Sequence, residues 1–93
     1  MLRWVITFQA VRISSRFNMR EKIRATLAAV LGIPLARVKD DASVMNIAEW
    51  DSLKHIRLVM ALEEQLGLVF DDEAIGNMTS LDAIVREAEA ARQ

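Results

Sequence analysis

The residues of this chain whose types and spacing suit chemistry gather at one place. Asp51 and Ser52 open the longest uninterrupted helical pattern, and His55, the only histidine, lies one turn further along. A serine within reach of a histidine is the beginning of a nucleophilic pair. An Asp placed directly before the first apolar-periodic residue is instead an N-cap, its carboxylate accepting from orphan N–H groups of the next turn. On that reading Ser52 takes the first helical position, facing solvent beside the positive end of the helix dipole, a setting that favours an attached phosphate.

The nucleophile reading lacks parts. No third group is placed to orient the imidazole, and no glycine-rich turn supplies an oxyanion hole, so His55 reads as a surface or half-buried packing residue. Metal binding fails on similar grounds. One His and scattered acids make no closed site, and the adjacent Asp40 and Asp41 lack ligand spacing and read as a solvated turn. Cysteine is absent, which removes disulfide scaffolds, thiol catalysis and Cys-based zinc sites and is compatible with a cytoplasmic protein. What remains at Ser52 is a hydroxyl suited to modification, with no catalytic residues and no metal assigned.

The elements that must carry this hydroxyl are helical. The 93 residues suffice for one modest core, and 53% hydrophobic residues with only three Gly and one Pro favour a compact all-α domain. Asn18 with Glu21 three residues on forms a capping-box pattern. Ile23, Leu27, Val30 and Leu31 then recur as one apolar stripe, closed by Gly32 as C-cap and by Pro34. Residues 33–49 form a long loop anchored by Ile33, Leu35, Val38, Val44, Met45 and Ile47. The second helix runs from Ser52 to Leu66 and ends at Gly67. Its apolar residues cover an arc of roughly 220°, wider than one core face needs, so Leu58, Leu62 and Leu66 read as core and Leu53 and Met60 as partly exposed partner contacts.

Acids at Asp71, Asp72 and Glu73 open a short third helix, which has the fewest apolar contacts and should be the least stable. Thr79, with Asp82 three residues on, caps a last helix whose inward stripe is Leu81, Ile84, Val85 and Ala88. The predicted architecture is a four-helix bundle of three longer helices and one short third helix, with the long loop between the first and second.

The formal net charge of −1 hides an asymmetry, because residues 1–18 carry Arg3, Arg12 and Arg16 and no acid. The other 75 residues hold nine basic against 13 acidic side chains, a net charge of −4 that argues against nucleic acid and for a protein partner with a basic surface. Residues 1–18 keep no clean period and are far too short an apolar run for a membrane span. They read as an extension outside a domain of residues 19–93, with Met19 as a second possible start and an acid-free organellar leader as the other reading.

Taken in order, Leu31-Gly32-Ile33, Val38, Asp41-Ala42-Ser43, Asp51-Ser52-Leu53, the run from Leu58 to Glu64, the acidic short helix and Thr79 resemble the acyl carrier protein family. The resemblance covers about residues 19–90. It implies that Ser52 accepts 4′-phosphopantetheine from coenzyme A through a separate phosphopantetheinyl transferase. Asp51 would assist that transferase and its magnesium as well as capping the helix. Acyl groups would ride as thioesters on the arm's thiol, passed between acyl-loading and acyl-processing enzymes. Leu53 and Met60 would be apolar docking contacts and Glu63 and Glu64 acidic ones, on a monomeric, non-catalytic carrier.

Four features depart from the family pattern. Lys54 and Arg57 stand where fatty-acid-synthesis members usually carry acids, Trp50 replaces a small or aliphatic residue, and the common Leu-Gly turn upstream is missing. Docking charge governs encounter rate and partner choice, so Lys54 and Arg57 point to a specialised fatty-acid, polyketide or related pathway. An aminoacyl or peptidyl carrier and a non-covalent helical interaction module are the alternatives.

Overall fold

The computed structural model describes residues 15–92, with side chains from Met19 onward; most of the expected extension therefore lies outside the described residues. Four α-helices follow in order: α1 (Ser15–Leu31), α2 (Ser52–Leu66), α3 (Asp72–Asn77) and α4 (Leu81–Ala91). A single 3-10 turn, Leu35–Arg37, interrupts the loop between α1 and α2. The described residues form the all-α four-helix bundle that the periodicity predicts, with no strand among them.

Apolar spacing places the core. Ile23, Leu27 and Leu31 from α1, Leu58, Val59 and Leu62 from α2, and Leu81, Ile84 and Ala88 from α4 are buried together, joined by Met78. At about 25 cal/mol per Å² of apolar surface, this shared burial is the main favourable contribution to the fold. α1 packs on α2 and on α4, and α3 packs on α4. α3 contributes no fully buried residue, and Ala74 and Ile75 are only partly covered against the core. It is the least embedded of the four α-helices, in line with its few apolar residues.

Glycine ends the first two helices by one mechanism. Gly32 and Gly67 have φ of +69° and +67°, and the residues after them, Ile33 and Leu68, donate back to the carbonyls of Ala28 and Glu63. The left-handed residue reverses the chain so that orphan carbonyls find these donors.

Three expectations need correction. α1 begins at Ser15, so Asn18 lies inside it and does not cap it; a capping-box sequence starts a helix only where the chain before it leaves helical geometry, and Ser15-Arg16-Phe17 holds no Gly or Pro to force that. α4 is capped by Ser80, not Thr79: the Ser80 hydroxyl accepts from Ala83 N–H at 3.0 Å. A short antiparallel bridge to Ser43 holds Ser80 extended, which moves the cap one residue on. Three loop anchors also face water, since Leu35, Val44 and Met45 are exposed, whereas Ile33, Val38 and Ile47 are buried with Ala42 and Trp50.

Truncating Leu58 or Ile84 to Ala should lower unfolding free energy in urea titration by about 2–5 kcal/mol, whereas Met45→Ala should change it by less than about 0.5 kcal/mol. Gly67→Ala meets no neighbour within 4 Å. Its expected loss of about 1–2 kcal/mol is the cost of a Cβ in the left-handed region alone.

Candidate functional site

The site is a turn held by a loop. Between Leu31 and Ser52 the backbone finds partners outside regular structure. Val44 N–H donates to the Thr79 carbonyl at 3.0 Å and Leu81 N–H to the Ala42 carbonyl at 2.9 Å, which stitches the loop to the start of α4. Asn46 accepts from Ser43 N–H and donates to the Asp41 carbonyl, both at 2.9 Å. Arg24 of α1 donates to the Val38 carbonyl at 3.0 Å, so the loop is pinned to α1 as well. Arg20 reaches Asp82 at 2.9 Å and Asp40 at 3.3 Å, which gives Asp40 an ion-pair role.

Arg37 forms a two-pronged pair with Glu49, at 2.7 and 3.1 Å. Hydrogen bonding to the Arg37 guanidinium holds the Glu49 carboxyl below its usual range, and the same contact pushes Arg37 up. The pair ties the 3-10 turn to the residue just before Trp50.

The loop delivers Asp51 in extended conformation (φ −104°, ψ −175°), and its Oδ1 accepts from Lys54 N–H at 2.9 Å. Asp51 is therefore the N-cap of α2 and Ser52 its first residue. Both are exposed. Capping occupies the Lys54 N–H and leaves those of Ser52 and Leu53 at the helix mouth, where the dipole favours an anion. Lys54 places a cation in the same turn, which has no acidic residue. An N-terminus carrying added positive charge and an accessible hydroxyl fits a serine-linked phosphate.

Leu53, Ile56 and Met60 line the outward side of α2 at 60%, 52% and 64% exposure, with Arg57 and Glu64 exposed beside them. Glu63 is engaged differently. Its Oε2 accepts from Phe70 N–H at 2.9 Å, so it fastens the connector after α2.

Sequence reasoning missed the link formed by Trp50. The indole is buried, and its Nε1–H donates to His55 Nδ1 at 3.0 Å. The other imidazole nitrogen lies 2.9 Å from the Ile75 carbonyl in α3. A Trp five residues before the single His was the available signal, but no local period brings those positions together. His55 is thus turned to Trp50 and α3. Beside it lies a cleft of about 520 Å³ whose lining includes Val44, Ser52, Ile56 and Ile75.

Because the Glu49 carboxyl is depressed in the folded chain, its pairing stabilises at neutral pH and is lost as pH falls through that depressed value. Glu49→Gln should therefore flatten the dependence of melting temperature on pH in the acid range; a wild-type slope in the variant would show that the pair contributes nothing.

A comparison with known families bears on the whole arrangement: the family described as the phosphopantetheine attachment site matches residues 21–87, from within α1 to within α4. The match spans the packed loop, the Asp51–Ser52 turn and α3. The chain belongs to this family and is a phosphopantetheine-bearing carrier protein, its helical domain the site of covalent 4′-phosphopantetheine attachment.

Proposed function

We propose that Ser52 is the attachment residue and that the protein holds acyl intermediates as thioesters on the arm, delivering them to partner enzymes of a specialised fatty-acid, polyketide or related pathway. The observation that carries this reading is the exposed Ser52 at the first position of α2, immediately after the Asp51 cap. In modification by a phosphopantetheinyl transferase, the Ser52 oxygen attacks the β-phosphorus of coenzyme A. The serine–phosphate bond forms, the bond to the nucleotide phosphate breaks, and the hydroxyl proton passes to base or solvent. Asp51 is suited to assist the transferase's magnesium, since one of its oxygens caps the helix while the residue stays exposed. When bound, the arm supplies the thiol that the chain, without cysteine, lacks.

Lys54 supports this assignment on energetic grounds. A cation in the first turn opposes the helix dipole, at a cost of a few tenths of a kcal/mol that an adjacent phosphate would offset. The partner face is the outward side of α2, where Leu53, Ile56 and Met60 supply apolar contact. Lys54 and Arg57 sit near Ser52, Glu64 further along, so a matching enzyme presents acids close to its catalytic entrance and a base farther away. Glu63, engaged by Phe70, belongs to this face through its position more than its charge.

Incubation with coenzyme A, magnesium and a broad-specificity transferase should add the mass of one phosphopantetheine unit, read by intact-mass spectrometry, and Ser52→Ala should abolish the gain. Modification of the Ser52→Ala protein would sink the assignment. Lys54→Glu should raise the melting temperature of the unmodified protein and reduce the further rise on modification; an unchanged increment would remove the electrostatic argument.

A further inference from the structure

We propose that Trp50, His55 and the Ile75 carbonyl form a fixed partition between the core and the cleft beside Ser52, so that an aliphatic chain tethered at Ser52 rests in the cleft and is kept out of the helix interior. Trp50 and His55 are then specificity-determining residues, because they set how deep such a chain can go. That the tethered chain is an acyl group on the arm rests on the assignment of Ser52.

Trp50 belongs to both sides of the partition. It is 5% exposed and packs in the core cluster that includes Leu58, Met78 and Ile84, yet it also lines the cleft. It is therefore the floor. Val44 on the loop and Ile56 on α2 are exposed walls, and the partly covered Ile75 supplies the wall on α3. The cleft, about 520 Å³, lies within the roughly 300–1,000 Å³ usual for small-ligand sites, and these four side chains give it a surface suited to hydrocarbon. Ser52 lines the same cleft, so a chain attached to its oxygen begins within reach of them.

Hydrogen bonds make the floor continuous from the loop to α3. An indole N–H only donates, so His55 Nδ1 accepts from Trp50 at 3.0 Å; Nε2 then carries the ring proton and donates to the Ile75 carbonyl at 2.9 Å. The two rings also stack, with centroids 6.1 Å apart and planes inclined by 26°. A chain passing inward between α2 and α3 would have to part this link and strip the buried indole N–H of its acceptor. Behind it Leu58, Leu62, Met78, Leu81 and Ile84 are wholly buried in a close-packed interior, so an entering chain would displace core side chains as well. Lying in the open cleft requires neither change. A chain longer than the cleft extends into solvent, where a docking enzyme meets it.

Ser52→Cys in the full chain creates a single thiol, since the sequence has no cysteine. Alkylation with N-ethyl-, N-hexyl- or N-decyl-iodoacetamide forms one carbon–sulfur bond, with loss of iodide and of the thiol proton to solvent, and needs neither transferase nor coenzyme A. Methyl NMR shifts, taken relative to the adduct of iodoacetamide itself, should move at Val44, Ile56 and Ile75 with the hexyl and decyl chains and stay unchanged at Met78 and Ile84. With His55→Ala added, the decyl chain should move Met78 and Ile84 too. Core shifts in the single variant, cleft methyls indifferent to every chain, or core methyls unmoved in the folded His55→Ala protein would each overturn the partition. If His55→Ala does not fold, by its helical circular dichroism, Trp50→Phe takes its place with the same expectation, and the single-variant series decides alone if neither folds. The alkyl series succeeds or fails apart from the mass gain that tests Ser52. On protein carrying an octanoyl arm, shifts at Met78 would overturn the partition as a limit on cargo, and shifts confined to the cleft methyls would bear it out.

Discussion

Satisfying the backbone of the long loop between α1 and α2 is the constraint on which the rest of the structure depends. A segment without helix or sheet must find outside partners for its N–H and C=O groups, or bear a cost comparable to a lost hydrogen bond for each buried one. Here those partners come from the start of α4, from Arg24 of α1 and from the side chain of Asn46. Ala42, Ile47 and Trp50 then enter the core. Because the loop is fastened along its length, its last residues arrive at α2 in a defined conformation, and the Asp51 cap follows.

That arrangement separates rigidity from access. Ser52 is exposed, yet it stands on a helix whose inner side is buried against α1 and whose first turn is closed by its own cap. The proposed attachment at Ser52 would need a fixed base and a free outward side, and this arrangement supplies both. The turn of His55 toward Trp50 and α3 agrees with this division: the imidazole serves the architecture around the hydroxyl.

Charge is distributed with similar economy. Arg20, Arg24 and Arg37 are spent on pairs or carbonyls that hold the loop, whereas Lys54 and Arg57 lie on the outer side of α2. The overall acidity of the chain therefore says little about the immediate surroundings of Ser52, where positive charge collects. Screening over roughly 8–10 Å at physiological salt makes this local pattern, more than net charge, what an approaching partner meets.

Much of this was legible without coordinates because it depends on local chemistry. The extent of α2, its cap at Asp51, the glycine stops at Gly32 and Gly67, and the division of α2 into core and outward residues follow from spacing and from the conformational range of single residue types. The family resemblance pointed to the same serine. What only the tertiary structure decided is whatever joins residues distant in sequence or competing within one turn. The bridge between Ser43 and Ser80 moved the α4 cap, the loop chose among its apolar anchors, Phe70 claimed Glu63, and His55 met Trp50 and the Ile75 carbonyl. Those outcomes turn on which donor comes within about 3 Å of which acceptor once the helices have packed, and no periodicity in the chain encodes that distance.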